Sequence, residues 1–437
     1  MRTLYSLVWW LILPFALFRL WWRGKKEPGY RMHIAERLGF YPPLPLSPGY
    51  IWVHAVSVGE TRAAEPLVQA LLAAWPEKDI LLTCMTPTGR ATGKTLFGNN
   101  PRILQAYLPY DTGLMMQRLV KHFHPIICIL METEIWPNLI AQCRAHGIPV
   151  ALVNARLSER SLKKGKRLPS LIQEAADGIS CVAAQTETDA QRLKEFGSRY
   201  VAVVGSVKFD TAPPKDALEK GERLRQMIGN RPVLICASTR DGEEVLLLDA
   251  LANLTPPDTL LLMVPRHPQR FNDVANMLSA RKLSFVRRSA LHADLKPIQP
   301  ISTDTQVLLG DSMGEMFAYY ATSDVAFIGG SLEPLGGQNL IEACALGIPV
   351  LVGPHTFNFE AITEDAVTND AAIRIHSAHE LMKKAGELLN NRKKCHLMGE
   401  NARQFAFRQK GATDRTLEIL RPFLDDRQKD PVPLHKE

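Results

Sequence analysis

The sequence lacks the cysteine patterns of a disulfide framework or a metal site. Its 437 residues include seven cysteines, an odd number, scattered along the chain without a Cys-x-x-Cys pair. Most lie in apolar runs, where a free thiol packs as a small hydrophobic group, so we expect a reducing compartment and no bound metal. No Gly-x-Gly-x-x-Gly fingerprint follows the first strand-like run in either half, which argues against a nicotinamide or flavin cofactor.

Neither sign of charge is scarce, but the balance is basic. The chain has 52 Lys and Arg against 45 Asp and Glu, a net charge of +7 and a pI of about 9.0. This balance suits acidic partners such as nucleic acid, anionic lipid headgroups or a phosphorylated substrate. Because 46% of the residues are hydrophobic, the chain is a folded protein, and its length predicts two domains.

Residues 4–22 form the one long apolar run, rich in Trp, and a basic segment ending at Lys26 follows it. The run could just span a bilayer, yet it contains Pro14 and Arg19 and lacks a small-residue cleavage site. We therefore expect a membrane anchor over residues 1–26, either spanning or lying on the bilayer, with the rest of the chain on the cytoplasmic side. The alternative is a helix that packs into a soluble body.

From Tyr50 onward, thirteen short apolar runs alternate with helix-like stretches, which predicts parallel sheets covered on both faces. The runs are residues 51–56, 80–84, 103–108, 126–130, 150–153, 179–182, 201–204, 233–237, 260–264, 284–286, 306–309, 325–328 and 349–352. We expect an α/β protein with two doubly wound, Rossmann-like domains, residues 27–210 and 232–437, and final helices that pack back on the first. A polar, Pro-containing segment, residues 211–231, is predicted to be the linker. Ligands of such sheets bind beyond the carboxyl ends of the strands.

Three motifs in the first half follow strand-like runs. Glu60 ends the run HAVSVGE (54–60) and is either a favourable charge at a helix start or a general base. Glu132 and Glu134 follow a buried strand in METEIWPN (131–138), where one of them could instead cap the next helix. Lys208 in GSVKFD (205–210) could neutralise charge that develops on a departing phosphate, or could be a surface lysine.

A basic loop follows the segment NARLS (154–158) and contains Arg160, Lys163, Lys164, Lys166 and Arg167. It is either a site for a phosphorylated lipid or a solvated charge run. No aromatic residues interleave with it to stack bases, so nucleic acid is not the expected partner.

The second half carries small, glycine-rich turns after strand-like runs: VPRHP (264–268), GDSMGE (310–315), GGS (329–331) and GGQNLIE (336–342). Such turns at helix starts present N–H groups to anions. Glu342 lies one helical turn beyond Asn339, where its carboxylate could accept hydrogen bonds from ribose hydroxyls. The pattern predicts a nucleotide site in this half.

Taken together, these motifs resemble the bacterial 3-deoxy-D-manno-octulosonic acid (Kdo) transferases, glycosyltransferases of the GT-B fold. The resemblance covers almost the whole chain. It includes the N-terminal apolar segment, residues 131–138 and 264–268, and the segments VSVGET (56–61), MTPTG (85–89), LPYD (108–111), NARLS (154–158) and GPHTFNF (353–359). It implies a metal-independent, inverting enzyme at the cytoplasmic face of the bacterial inner membrane. CMP-Kdo would be the donor substrate, the lipid A precursor the acceptor, and anionic lipids the membrane partners, without a cofactor.

The resemblance also implies roles for particular residues. Glu60 matches the general base, and Glu132 and Lys208 match positions that stabilise the transition state. The CMP-binding positions of the family correspond to Pro265, Arg266, Met313, Gly314, Glu315, Asn339, Leu340, Ile341 and Glu342. Two alternatives stay open: a sugar-nucleotide epimerase of the same fold, and a non-catalytic carrier of nucleotide sugars or lipids.

Overall fold

The computed structural model describes residues 1–25, 27–44 and 49–425. The chain divides into two compact units, Met1–Thr211 with the C-terminal segment from Lys410, and Ala212–Gln409. Three parts of the predicted domains, Lys26, residues 45–48 and residues 426–437, lie outside the described residues. The two units are described in turn.

The first unit contains a parallel sheet of seven strands in the order β3-β2-β1-β4-β5-β6-β7. The strands are β1 (Tyr50–His54), β2 (Asp79–Cys84), β3 (Ile103–Tyr107), β4 (Pro125–Met131), β5 (Val150–Ala155), β6 (Cys181–Ala184) and β7 (Val201–Val203). Its helices are α1 (Arg2–Arg23), α2 (Ile34–Arg37), α3 (Val58–Ala63), α4 (Glu65–Ala74), α5 (Pro87–Phe97), α6 (Gly113–Phe123), α7 (Pro137–Ala145), α8 (Glu159–Gly165), α9 (Pro169–Asp177) and α10 (Glu187–Glu195).

Both faces of this sheet are buried, as the continuous apolar strands predict. In β1, Trp52 packs into the hydrophobic cluster on one face, whereas Ile51 and Val53 pack into the cluster on the other. Polar side chains are consequently displaced to the loops beyond the strand ends.

The second unit repeats the plan with the parallel order β10-β11-β9-β8-β12-β13-β14. Its strands are β8 (Val233–Thr239), β9 (Leu260–Pro265), β10 (Phe285–Arg287), β11 (Val307–Leu309), β12 (Val325–Ile328), β13 (Val350–Val352) and β14 (Ala372–Arg374). Its helices are α11 (Lys215–Ile228), α12 (Glu243–Ala250), α13 (Phe271–Ala280), α14 (Met316–Thr322), α15 (Ile341–Ala345), α16 (Glu360–Thr368), α17 (Ala378–Leu389) and α18 (Arg392–Arg408). The prediction of two doubly wound parallel sheets is confirmed.

The segment predicted to be a linker, residues 211–231, instead contains α11 and belongs to the second unit from Ala212 onward. Gly221 lets α11 approach α14 closely, because a Cβ there would lie 2.9 Å from the carbonyl oxygen of Ala318. The apolar face of α11, which includes Ala217 and Leu224, is buried. The apolar positions recur at helical spacing in the sequence, but the prolines at 213 and 214 and the many charged residues favoured the linker interpretation.

The last described helix, α19 (Ala412–Leu424), belongs to the first unit, whereas α17 and α18 belong to the second. Asp210 anchors its beginning, since its carboxylate oxygens accept hydrogen bonds from the N–H groups of Gly411 (2.7 Å) and Thr413 (2.6 Å). These two hydrogen bonds also attach α19 to the segment that carries Lys208.

The N-terminal helix α1 lies against the first unit along one side only. Leu13 and Leu20 are buried against Tyr110 and Met115. On the opposite side, large apolar residues are exposed at helical spacing: Leu7, Leu11, Phe15, Phe18 and Trp22. Length and composition alone would let α1 cross a bilayer.

Candidate functional site

Glu60 lies in the first turn of α3, just beyond the end of β1. Its carboxylate folds back over the helix start, where Oε2 accepts a hydrogen bond from the Val56 N–H at 2.7 Å and Oε1 accepts a longer one from the Ser57 hydroxyl at 3.4 Å. Burial, together with the negative charges of Glu134 and Glu132, raises its pKa to about 8. Glu60 is therefore both a helix-start residue and a carboxylate able to take up a proton near neutral pH.

Glu132 follows β4 and is almost fully buried between two cations. Its Oε1 lies 2.7 Å from the Lys208 Nζ and its Oε2 lies 3.1 Å from the Arg156 Nε. Burial opposes ionisation, but the two cations outweigh it and hold the pKa of Glu132 below its usual value. The backbone of Glu132 has a φ of 59°, the left-handed region that a non-glycine residue rarely adopts. The ion pairs thus fix a strained residue at the end of a central strand.

Arg156 is a site residue that the sequence prediction missed. It lies within the segment NARLS (154–158), but it was given no role of its own, and only the basic loop that follows was interpreted, as a lipid site or a solvated charge run. Only the pairing of β4 with β5 brings Arg156 beside Glu132. The sequence does contain a signal for this ion pair, because Glu132 and Glu134 follow one strand and Arg156 follows the next.

Glu134 and His54 complete the polar surroundings of Glu60 and Glu132. The Trp136 indole N–H donates to the Glu134 carboxylate at 2.8 Å, and burial, with the charge of Glu132, raises the pKa of Glu134. Burial lowers the pKa of His54 to about 3, so its imidazole is neutral, and its Nδ1 lies 2.9 Å from the Thr83 hydroxyl. His54 is therefore a structural residue of the strand end rather than a proton carrier at neutral pH.

Lys208 is held in place by the segment around it. It lies in a short 3-10 helix, Val207–Asp210. The Oδ1 of Asn154, at the end of β5, accepts hydrogen bonds from the Ser206 hydroxyl at 3.2 Å and the Val207 N–H at 3.3 Å. With Asp210 bonded to α19, both ends of the lysine-bearing segment are fixed.

The basic loop after Ser158 forms α8, which is largely exposed. Lys163 forms an ion pair with Glu159, and Lys166 forms one with Glu195. Part of the positive charge is therefore balanced locally.

In the second unit, basic residues gather at the ends of β8 and β9. The Arg266 N–H donates to the Thr239 carbonyl at 2.9 Å, which fixes the turn that begins at Pro265. Burial and the nearby positive charges of Arg240 and Arg266 lower the pKa of His267. Arg240, which the sequence prediction missed, therefore joins Arg266 in a positive cluster suited to a phosphate.

The glycine-rich turn after β12 does not present its amides as the sequence predicted. The fully buried carboxylate of Glu243 accepts hydrogen bonds from the N–H groups of Gly330 (2.6 Å), Ser331 (3.0 Å) and Leu332 (3.0 Å). A fourth comes from the Arg240 N–H at 2.9 Å. The anion at this turn is thus an internal side chain, and Glu243 shapes the loop rather than leaving it open for phosphate.

In the turn after β11, Glu315 is held by hydrogen bonds, whereas Met313 and Gly314 are accessible from solvent. The Glu315 carboxylate accepts hydrogen bonds from Arg288 at 2.9 Å, Lys220 at 3.3 Å and Ser312 at 2.5 Å. Burial opposes ionisation, but these donors keep the pKa of Glu315 below its usual value. Met313 is 58% exposed and Gly314 has a φ of 80° with open space around it. Glu315 therefore acts as a rigid support, and Met313 and Gly314 are the parts that a ligand can reach.

The turn before α15 orients Glu342. The Asn339 side chain donates to the Glu342 carboxylate at 3.2 Å and accepts from the Ile341 N–H at 3.0 Å. The side chains of Leu340 and Ile341 are buried. These two residues can meet a ligand only through their backbone, whereas Asn339 and Glu342 are partly exposed.

Among residues 1–25, 27–44 and 49–425, no group of three or more His, Cys, Asp or Glu residues is arranged to hold a metal ion. The described cysteines are all free.

Comparison with known proteins gives two family matches. Residues 32–211 match the model of the 3-deoxy-D-manno-octulosonic-acid transferases, and residues 299–405 match that of the group 1 glycosyl transferases. A curated 3-deoxy-D-manno-octulosonic acid transferase from Bordetella pertussis is 43% identical, over 97% of this chain and 99% of that protein. One from Haemophilus influenzae is 38% identical, over 92% of this chain and 93% of that protein.

Two solved structures support the fold assignment. A UDP-GlcNAc 2-epimerase from Neisseria meningitidis has a TM-score of 0.59 at 15% identity and covers 85% of this chain and 100% of its own. A glycosyltransferase from Rickettsia africae has a TM-score of 0.58 at 16% identity and covers 87% of this chain and 100% of its own. At these identities the likeness shows the GT-B fold alone.

Proposed function

The chain belongs to the 3-deoxy-D-manno-octulosonic acid transferase family and transfers Kdo in lipopolysaccharide biosynthesis, and from this premise we propose how it does so. The donor is CMP-Kdo, and the acceptor is the tetraacyl disaccharide precursor of lipid A (lipid IVA). The reaction is a single displacement that inverts the anomeric centre and needs no metal ion. The observation that carries the mechanism is Glu60, whose pKa is about 8, in the same unit as the cation pair on Glu132.

Glu60 is the general base. Its carboxylate takes the proton of the acceptor hydroxyl, and the oxygen attacks the anomeric carbon of Kdo. The bond from that carbon to the CMP phosphate oxygen breaks, and CMP leaves with the electron pair. A raised pKa suits this role, because a base works best when its pKa lies near the working pH.

Lys208 supplies positive charge to the transition state. Glu132 holds its ammonium group in one place, so little reorganisation is needed when charge develops on the phosphate or on the carboxylate of Kdo. Arg156 binds the other oxygen of the Glu132 carboxylate, so the group of one acid and two cations keeps a net positive charge. Electrostatic stabilisation of this kind replaces a divalent cation, because the leaving group carries only one phosphate.

The second unit binds CMP. Arg266 and Arg240 form its positive cluster, Met313 and Gly314 form the reachable side of the next turn, and Glu342 is oriented to accept hydrogen bonds from ribose. Pro265, Leu340 and Ile341 contribute backbone, and Glu315 supports the turn.

We place the enzyme on the cytoplasmic face of the inner membrane, with α1 lying on the bilayer rather than crossing it. Three polar contacts hold α1 to the body: Tyr5 to Asp111 (2.9 Å), Ser6 to Asn138 (3.1 Å) and Arg2 to Glu174 (2.7 Å). If α1 crossed the bilayer, these polar groups would lie in hydrocarbon without their hydrogen-bond partners.

The outer stripe of α1 fits the interface between lipid headgroups and acyl chains. Leu11 is 73% and Phe15 75% exposed, and the Lys25 ammonium lies 4.8 Å from the Trp22 ring centroid. A helix with apolar and aromatic residues outward and basic residues at one end binds anionic membrane surfaces.

The membrane assignment is tested by flotation with vesicles that contain or lack phosphatidylglycerol. We expect stronger binding to the anionic vesicles, release by alkaline carbonate, and weak binding of Leu11→Asp/Phe15→Asp. Leu397→Asp removes an exposed leucine of α18 and is the matched control. Resistance of the wild type to carbonate would favour a spanning helix.

The reaction is tested by incubating CMP-Kdo and radiolabelled lipid IVA with the wild type, Glu60→Gln and Glu65→Gln. We expect conversion by the wild type and by Glu65→Gln, a carboxamide control in the next helix, and loss of conversion in Glu60→Gln. Product mass counts the Kdo residues added. A folded wild type that converts no lipid IVA would reject this acceptor, and activity retained in Glu60→Gln would assign the base to another residue.

A further inference from the structure

Asp111, the last residue of the segment LPYD (108–111), is fully buried and has no part in the mechanism above. Its carboxylate accepts three hydrogen bonds, from the Tyr5 hydroxyl (2.9 Å), the Asn138 N–H (3.1 Å) and the Leu139 N–H (2.8 Å). The three donors are uncharged and come from two helices, α1 and α7. One buried carboxylate therefore joins the N-terminal helix to the start of α7.

A second set of bonds runs parallel to the first. The Ser6 hydroxyl donates to the Asn138 Oδ1 at 3.1 Å, and the Asn138 Nδ2 donates to the Asp111 carbonyl at 2.6 Å. Two consecutive residues of α1, Tyr5 and Ser6, thus donate hydrogen bonds to Asp111 and Asn138, which are themselves hydrogen-bonded to each other. Buried polar groups of this kind hold one geometry, because each lost bond leaves an unpaired group.

The start of α7 is one end of the catalytic loop, residues 132–136. This loop leaves β4 at Glu132 and reaches α7 directly after Trp136, whose indole binds Glu134. The sheet fixes one end of the loop, and Asp111 fixes the other by capping α7. Movement of Asp111 would therefore be transmitted to Glu132 and Glu134.

We propose that Asp111 is a positioning residue of the transferase, which locks the catalytic loop to the seated α1 helix. The inference rests on the proposed function, since that function assigns Glu132 to the reaction and Glu134 lies in the same loop. Turnover is then fast only while Tyr5 and Ser6 occupy their places, so the helix that attaches the enzyme to the membrane also keeps its catalytic loop in order. An aspartate suits this place because a carboxylate at a helix N-terminus can accept several N–H groups at once.

The test compares full-length wild type with Tyr5→Phe/Ser6→Ala, Asp111→Asn and Tyr41→Phe in mixed micelles. Tyr41→Phe is the control, because it removes a tyrosine hydroxyl bond as Tyr5→Phe does, here 3.1 Å to the Tyr107 carbonyl, at a residue outside α1 and α7. Steady-state kinetics with CMP-Kdo and lipid IVA give kcat and KM, and hydrogen exchange reports on the amides of residues 131–139.

In Tyr5→Phe/Ser6→Ala we expect kcat to fall about tenfold, since small displacements of catalytic groups cost large factors in rate. In Asp111→Asn the fall should reach roughly a hundredfold, because an amide places N–H groups against N–H donors. KM for CMP-Kdo should not change, because the second unit is untouched. Exchange in residues 131–139 should rise in both variants and stay at the wild-type rate in Tyr41→Phe.

Wild-type kcat in a folded Tyr5→Phe/Ser6→Ala variant would overturn the proposal, as would a fall in kcat without faster exchange in residues 131–139. An equal fall in kcat in Tyr41→Phe would also overturn the proposal, because it would show that Asp111 only stabilises the fold in a general way. The exchange measurement needs no substrate, so a failure of the proposed reaction shows in the kinetics of the wild type and not in this signal.

Discussion

The Lys208 Nζ lies 2.7 Å from the Glu132 Oε1, although the two residues are 76 positions apart in the chain. Glu132 follows β4, near the centre of the sheet, and Lys208 follows β7 at its edge. The bond therefore joins the loop ends of β4 and β7, between which β5 and β6 lie in the sheet. Because Glu132 is buried, loss of either partner would leave a buried charge without its full compensation.

Removal of the lysine charge should destabilise the first unit. In Lys208→Met the buried Glu132 carboxylate retains only its ion pair with Arg156. We therefore expect a loss of roughly 1–3 kcal/mol in the free energy of unfolding at pH 7. Lys163→Met, in an exposed ion pair of α8, should show no measurable change. Urea denaturation measures both.

The same pair predicts the pH dependence of this loss. The pKa of Glu132 is lowered in the folded state, so the pair stabilises the fold above the ordinary glutamate pKa and ceases to do so as the pH falls through the folded-state pKa. The difference between wild type and Lys208→Met should therefore narrow on acidification. A difference that is constant with pH would contradict the assignment of the stability to Glu132 ionisation.

The pH profile of kcat/KM should report Glu60. Because its pKa is about 8 and the base must be ionised, kcat/KM should rise with pH through that value. The charge of Glu134 contributes to the raised pKa, so Glu134→Gln should move the rise to lower pH. Glu195→Gln, on the surface, is the control, and a shift to higher pH in Glu134→Gln would contradict the electrostatic argument.

Glu243 should be required for the donor-binding unit. Glu243→Gln places an amide against N–H groups of Gly330, Ser331 and Leu332, and we expect a loss of roughly 1–3 kcal/mol in stability and weaker binding of CMP. Calorimetric titration with CMP and thermal unfolding measure the two effects. Glu387→Gln, in a half-exposed ion pair of α17, should change neither.

Gly336 should tolerate no side chain. It has a φ of 92°, and a Cβ would lie 2.4 Å from the Asn358 Nδ2, so Gly336→Ala should disturb the turn before Asn339 and weaken CMP binding. Gly229→Ala has a similar φ of 81° but open space around it. Equal effects in the two variants would show that backbone strain, rather than the contact with Asn358, sets the cost.

Transfer should continue in excess EDTA at the rate seen with added Mg²⁺. In the proposed mechanism, basic side chains rather than a metal ion carry the positive charge that one departing phosphate requires. The measurement is initial rate after gel filtration into chelator. Strict dependence on a divalent cation would overturn the mechanism.

Local patterns sufficed for most of the strands. Apolar runs between helix-like stretches predicted thirteen of the fourteen, and the missed one, β14, has only three residues at the sheet edge. The linker prediction was wrong because the prolines and charged residues of 211–231 outweighed the apolar stripe of α11. β14 was missed because its sequence, Ala-Ile-Arg, contains a single large apolar side chain.

The sequence by itself determined the two parallel sheets, the family and the loops that bear Glu60, Glu132 and Lys208, because burial on both faces leaves only strand ends for polar groups. Tertiary structure alone decided the partners: Arg156 for Glu132, Glu243 for the turn at Gly330, and Asp111 for α1 and α7. These contacts join segments far apart in the chain. Hydrogen bonds and ion pairs act over a few ångströms, so a one-dimensional pattern does not encode them until the strands are ordered in space.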